Sequence, residues 1–163
     1  MNGVPVEGKV ILITGANRGI GKALATKALE LGAKKVYATA RDESKLAEVK
    51  ALDNDRVVTL ELDVTNQEQV DKAAQAAADV EIVINNAGMG TGAQLLSEKV
   101  VEASKLEMEA NFYGPMRMGV AFAPILKANG GGAMANVLSV AGLTNFPFAP
   151  TYACSKAAGH SLT

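Results

Sequence analysis

An apolar run, Val10-Ile11-Leu12-Ile13, passes directly into Thr14-Gly15-Ala16-Asn17-Arg18-Gly19-Ile20-Gly21 and then into residues at helical spacing. This passage from strand through glycines into helix constrains the chain more than any other feature. Glycine adopts turn conformations without the penalty of a β-carbon and lets the backbone approach a pyrophosphate. A helix beginning near Gly19 would aim its free N–H groups and the positive end of its dipole at that phosphate. The spacing departs from Gly-x-Gly-x-x-Gly, with three residues between Gly15 and Gly19 and one between Gly19 and Gly21. Over these eight residues alone, a plain glycine turn would read similarly.

The rest of the chain continues the alternation. Lys9 to Ile13 reads as a buried parallel strand, and Ile20, Ala23, Leu24, Ala28 and Leu31 recur on one helical face that Gly32 stops. A second strand is expected over Lys35 to Thr39, with Asp42 capping a helix from Glu43 towards Leu52. Val57 to Leu62 reads as the third strand, followed by a helix from Gln67 to Ala78 with Thr65 and Glu68 as a capping box. Glu81 to Ile84 is the fourth strand, running into Asn85-Asn86-Ala87-Gly88. A long helical region from Ser97 to Lys127 should kink or break at Pro115 and again at Pro124. Ala133 to Leu138 is the fifth strand, and Tyr152 opens the last helix. Strands separated by helices predict an α/β fold with a doubly wound parallel sheet, Rossmann-like and layered α/β/α.

At 163 residues and 48% hydrophobic the chain suffices for one domain with a sizeable core, here a dinucleotide-binding domain over residues 1–163. A net charge of -1 gives no electrostatic basis for a nucleic-acid partner or an anionic membrane. No apolar run reaches the roughly 20 residues that span a bilayer, and Met1 to Glu7 has no signal-peptide pattern. The single Cys154 excludes an intrachain disulfide and fits a cytoplasmic protein. One His and one Cys do not make a dense metal site, so no metal is expected.

Ser139, Tyr152 and Lys156 are the candidate catalytic group. Tyr152 and Lys156 are four apart on a helix and share a face. A lysine cation near a phenol stabilises the phenolate and makes the pair useful for acid/base work. Ser139 ends a strand, where its hydroxyl could donate to a carbonyl oxygen. Spacing alone is equally met by a surface tyrosine lying on a lysine stem.

From Lys9 to its end the chain resembles the N-terminal two thirds of a short-chain dehydrogenase/reductase. The Thr-Gly-x-x-x-Gly-x-Gly turn is Thr14 to Gly21, which accounts for the glycine spacing. Asn85-Asn86-Ala87-Gly88, Asn111, Ser139 and the Tyr-x-x-x-Lys pair Tyr152 and Lys156 match further motifs in order, and Asp63-Val64 resembles the pair that contacts adenine. The resemblance implies hydride transfer between a nicotinamide cofactor and a carbonyl or alcohol substrate. It makes Tyr152 the general acid/base, Lys156 the group that holds the nicotinamide ribose, Ser139 the carbonyl-positioning group, and Asn111 the support for a water linking Lys156 to solvent. Gly15, Asn17, Arg18, Gly19, Ile20, Gly21, Asn86, Ala87 and Gly88 would line the cofactor with Asp63 and Val64.

An acidic residue ending the second strand would select NAD through its ribose 2′-OH. Arg41 stands there instead, with Asp42 next and Arg18 in the turn. Both arginines suit the 2′-phosphate of NADP. NADP is therefore the expected cofactor and NAD the runner-up, the latter if Asp42 selects and the arginines are solvated. Met89, Leu143, Phe146, Pro147 and Phe148 are candidates for an apolar substrate wall, Phe148 equally for a loop anchor. Cys154 reads as a buried structural thiol, and His160 as remote from the site.

The family's pattern continues beyond this chain, so the fold is expected to be C-terminally incomplete, with the fifth strand an exposed edge. Such a chain should bind the adenine half of the cofactor more readily than it turns over substrate. A homo-oligomer is expected of the complete form. The alternatives are a non-catalytic nucleotide-binding or regulatory module with the same fold, and an NAD-dependent member, including an epimerase or dehydratase.

Overall fold

The structure is a computed structural model that describes residues 4–144 and 146–163. Met1 to Gly3, part of the N-terminal stretch searched for a signal pattern, and Asn145, in the loop expected over 143–150, lie outside the described residues. Five parallel strands form one sheet: β1 (Val10–Ile13), β2 (Lys35–Ala40), β3 (Val57–Glu61), β4 (Ile82–Asn85) and β5 (Ala133–Asn136), in the order β3-β2-β1-β4-β5. The order reverses between β1 and β4. In open α/β sheets the crevice outside the strand ends at such a reversal is where ligands bind.

The helices are α1 (Gly19–Glu30), α2 (Ala47–Lys50), α3 (Gln67–Ala76), α4 (Val100–Met108), α5 (Gly114–Ala128) and α6 (Pro150–Leu162). Two apolar clusters define three layers. Ile11 and Ile13 of β1 face one way, onto Ala25, Ala28 and Leu29 of α1 with Leu46 and Val49. Val10 and Leu12 face the other, onto Val70 and Ala73 of α3 and Met118, Phe122 and Leu126 of α5. The period-two alternation of a strand thus supplies both faces of a sheet covered on each side. This is the α/β/α Rossmann-like architecture expected from the sequence.

Local details correct the sequence reading at several points. Asn66, not Thr65, caps α3: its side chain accepts the Gln69 N–H at 3.2 Å, while Thr65 Oγ1 is bonded to Asp63. Asp42 does cap the following turn, accepting the Ser44 N–H, but a 3₁₀ turn, Glu43–Leu46, precedes the short α2. The long helical region is interrupted before Pro115 by a π turn, Glu109–Tyr113, in which the Gly114 N–H reaches the Glu109 carbonyl five residues back. Pro115 then sits in the first turn of α5, where a missing N–H costs least, and Pro124 lies inside α5 without ending it. β5 stops at Asn136, two residues short of the expected Leu138, and is an edge strand. Pro150 rather than Tyr152 opens α6.

Candidate functional site

The turn after β1 is held by one hydroxyl and one amide. Thr14 Oγ1 accepts the N–H groups of Asn86 and Ala87, each at 2.9 Å, and Asn86 Nδ2 donates to the carbonyls of Thr14 and Gly15 at 2.9 and 3.1 Å. The ends of β1 and β4 are thereby locked together at the point where strand order reverses. Gly15 and Gly19 have positive φ, +66° and +53°, a region that side chains with a β-carbon rarely enter. Gly21 is required for another reason: a β-carbon there would lie 2.2 Å from the Gly15 carbonyl oxygen. Among the described residues no side chain caps α1, so its first N–H groups remain available at the turn.

A cleft of about 460 Å³ opens above this turn. Gly15, Asn17, Arg18, Gly19, Ile20, Gly21, Arg41, Asp63, Val64, Asn86, Ala87 and Gly88, the cofactor candidates of the glycine turn and the strand ends, all line it. Sequence reasoning missed Ala40, Leu62, Thr65, Leu106, Glu109 and Ala110, which the ends of β2 and β3, α4 and the π turn bring to the same wall. Asp42 is not in that wall. Its carboxylate accepts the Ser44 hydroxyl at 2.6 Å and the Ser44 N–H and faces Lys45, contacts that hold its pKa below the usual aspartate value, the Ser44 hydroxyl foremost.

Three of the four catalytic candidates, Asn111, Tyr152 and Lys156, lie against Gly88 and Gly90, and Gly88 is one of the residues lining the cleft. Lys156, only 7% exposed, donates to the Val137 carbonyl at 3.0 Å and stands 5.8 Å from the centre of the Tyr152 ring. Burial lowers its pKa from 10.5, and no carboxylate among the described residues is paired with it. A β-carbon on Gly88 would lie 3.4 Å from Lys156 Nζ and 2.7 Å from Asn111 Oδ1, so both groups crowd the end of β4. Gly90 lies under the phenol, its own β-carbon position 3.2 Å from Tyr152 Cδ2. Asn111, placed by the π turn, accepts the Met89 N–H at 2.9 Å and donates to the Met89 carbonyl at 2.7 Å and to Ser155 Oγ at 2.8 Å. Ser155, fully buried, passes the link to the Tyr152 carbonyl at 2.8 Å. Nothing in its spacing marked Ser155 beforehand.

Ser139 lies three residues past the end of β5, not at the strand end, and begins a 3₁₀ turn, Val140–Gly142. Its Oγ accepts the Ala141 N–H at 3.2 Å, leaving the hydroxyl proton to donate. The turn presses on α6: a β-carbon on Gly142 would lie 2.7 Å from the Lys156 carbonyl carbon. The five apolar wall candidates do not share one surface. Met89 lines the cofactor cleft, whereas Leu143, Phe146 and Pro147 border a separate depression with Cys154 and Ala157. Phe148 is 75% exposed and stacks edge-on against Phe146. Cys154 is exposed, contrary to the expected buried thiol, because its position on α6 turns outward between buried Ala153 and Ser155. His160 is exposed near the end of α6. Among the described residues no cluster of three or more His, Cys, Asp or Glu could hold a metal, and no helix is long and apolar enough to cross a membrane.

The chain belongs to the short-chain dehydrogenase family, whose sequence model matches residues 9–163. An uncharacterized oxidoreductase of Staphylococcus aureus (strain USA300) is 35% identical over 164 residues, which cover 95% of this chain and 68% of the relative. A short chain dehydrogenase from Burkholderia cenocepacia J2315, solved in complex with NADP, superposes with a TM-score of 0.90 at 42% identity, covering 98% of this chain and 65% of that one. A short chain dehydrogenase/reductase from Burkholderia phymatum, solved in complex with NAD, gives 0.88 at 34% identity, covering 98% of this chain and 59% of that one. The chain therefore spans about two thirds of the length of such relatives.

Proposed function

We propose that the chain carries the cofactor site and the acid/base group of a reductase that interconverts a carbonyl and an alcohol with NADP(H). The observation that carries this reading is the buried Lys156 ammonium, set between the Tyr152 ring, the Val137 carbonyl and the end of β4, beside a cleft whose lining includes two arginines. Backbone contact at Gly15 and Gly21 leaves no room for side chains where a pyrophosphate would approach, and the uncapped start of α1 suits its charge. Asp63 and Val64 would hold adenine, and Asn86 to Gly88 with Lys156 the nicotinamide ribose. NADP(H), when bound, supplies or takes up the hydride.

The chain's own residues manage the proton. The Tyr152 hydroxyl gives a proton to the substrate oxygen during reduction and takes one from it during oxidation. Lys156, cationic and desolvated, stabilises the phenolate that remains. Ser139, whose oxygen is already engaged by Ala141, donates its hydroxyl proton to the same substrate oxygen. Asn111, beside Lys156 at Gly88, supports the path by which Tyr152 regains a proton from solvent.

Arg18 and Arg41 favour NADP, because both line the cleft while Asp42 spends its carboxylate on Ser44 and Lys45. The exposed Val101 on α4 and Val120 on α5 are apolar groups available for contact with another copy of the chain. The test is NADPH oxidation with a panel of aldehydes and ketones, in the unaltered protein and in Tyr152→Phe. Turnover that disappears in Tyr152→Phe while NADPH still binds supports the reading; equal rates refute it.

A further inference from the structure

Glu107 is fully buried near the end of α4, yet among the described residues it pairs with no cation. Its Oε1 accepts both the N–H of Thr91, at 2.6 Å, and the Thr91 hydroxyl, at 2.8 Å, while Oε2 is buried with no hydrogen-bond partner among the described residues. Burying a carboxylate this way is costly, and among the described residues its hydrogen bonds go to Thr91 alone. One turn further along the same helical segment, Asn111 takes both backbone groups of Met89. Between the two gripped residues lies Gly90, whose backbone backs the Tyr152 ring, with the added β-carbon position 3.2, 3.6 and 3.7 Å from ring carbons.

We propose that Glu107 is a positioning residue for Tyr152: by anchoring Thr91 it keeps the Gly90 backbone flat against the phenol and fixes where the hydroxyl points. Asn111 fixes one side of Gly90 and Glu107 the other, so removing either anchor lets the segment lift. The two hydrogen bonds from Thr91 explain the need for an acceptor. A glutamine keeps a carbonyl oxygen able to take both donors, and leucine keeps the volume without the acceptor. The inference rests on Tyr152 being the acid/base group, but its structural core does not.

The experiment compares Glu107→Leu, Glu107→Gln and Thr91→Val with the unaltered protein, using NMR of tyrosine-labelled protein, amide hydrogen exchange and NADPH kinetics. In Glu107→Leu the Tyr152 ring signals shift while those of Tyr37 stay, and the Thr91 N–H exchanges about tenfold faster while that of Met89 changes less than about twofold. kcat falls about tenfold with the KM for NADPH nearly unchanged, and Glu107→Gln restores both signals and rate. Thr91→Val, at an exposed position, gives a smaller shift of the same Tyr152 signals. Unchanged Tyr152 signals in either Glu107→Leu or Thr91→Val, or failure of glutamine to restore them, overturns the proposal. If Glu107→Leu does not fold, Thr91→Val decides alone. Absence of NADPH oxidation by the unaltered protein would refute the reductase reading, and the ring shifts and exchange rates would still decide the role of Glu107.

Discussion

A β-carbon on Gly21 would stand 2.2 Å from the carbonyl oxygen of Gly15 and 2.6 Å from Asn86 Nδ2. The first turn of α1 therefore rests backbone to backbone on the glycine turn, and the same amide that ties β4 to β1 closes the third side. Gly21→Ala has to push α1 outward. Overpacking of this kind costs about 1–3 kcal/mol, and the displacement falls on the N–H groups that would meet a phosphate. The variant should melt at a lower temperature and bind NADPH at least about tenfold more weakly, a loss of ~1.4 kcal/mol. Gly8→Ala, where no atom of the described residues lies within 4 Å of an added β-carbon and φ is +72°, separates backbone strain from the clash: it should lower stability without weakening NADPH binding.

Arg41 and Arg18 are both exposed and both line the cleft, so their contribution is read best as selectivity rather than stability. Hydrogen bonds to a charged group are worth about 1.5–3 kcal/mol. Arg41→Ala should raise the NADPH dissociation constant about tenfold and leave that of NADH within about twofold. Fluorescence titration of both cofactors checks it. Tighter NADH than NADPH binding by the unaltered protein would reverse the assignment in favour of NAD.

Lys156 leaves a signature in the pH dependence of stability. Burial disfavours its cation, so its pKa in the folded protein lies below the 10.5 of an unhindered lysine. Below the lowered pKa both states carry the proton and the cost of burying the charge is constant. Between the lowered pKa and 10.5 the unfolded chain binds a proton that the folded protein has released, so stability rises with pH, by at most about 1.4 kcal/mol per pH unit. Lys156→Met removes this group. Urea unfolding at a series of pH values should show the unaltered protein gaining on Lys156→Met as pH climbs towards 10.5. A difference that stays flat across that range contradicts the prediction.

Much of this architecture could be read before any coordinates. The run Val10 to Ile13 and the glycines after it specified strand, turn and helix because each residue type there has few alternatives. The same holds for the alternation that builds the sheet. What could not be read was contact over long sequence distance. Ser155 and Glu107 have no motif around them, and their roles appear only when α6 meets the π turn and the 89–91 segment meets the end of α4. Cys154 misled because the Tyr152 face of α6 was known but not which of its other faces the fold leaves open. Thr65 lost the cap to Asn66 because Asp63 holds the Thr65 hydroxyl, a competition between neighbours that the capping pattern does not encode.

If this site moves a hydride from NADPH to a carbonyl carbon while Tyr152 delivers the proton, a label on that hydride follows it to the substrate. The decisive experiment uses NADPH carrying deuterium in place of both hydrogens at C4, with an aldehyde or ketone that the protein accepts, and mass spectrometry of the alcohol. One deuterium is expected on the carbinol carbon per NADPH consumed, and none when Tyr152 is replaced by Phe. Cofactor that binds but keeps its label while the substrate is isomerised or dehydrated, or a label that transfers equally well in Tyr152→Phe, would contradict it.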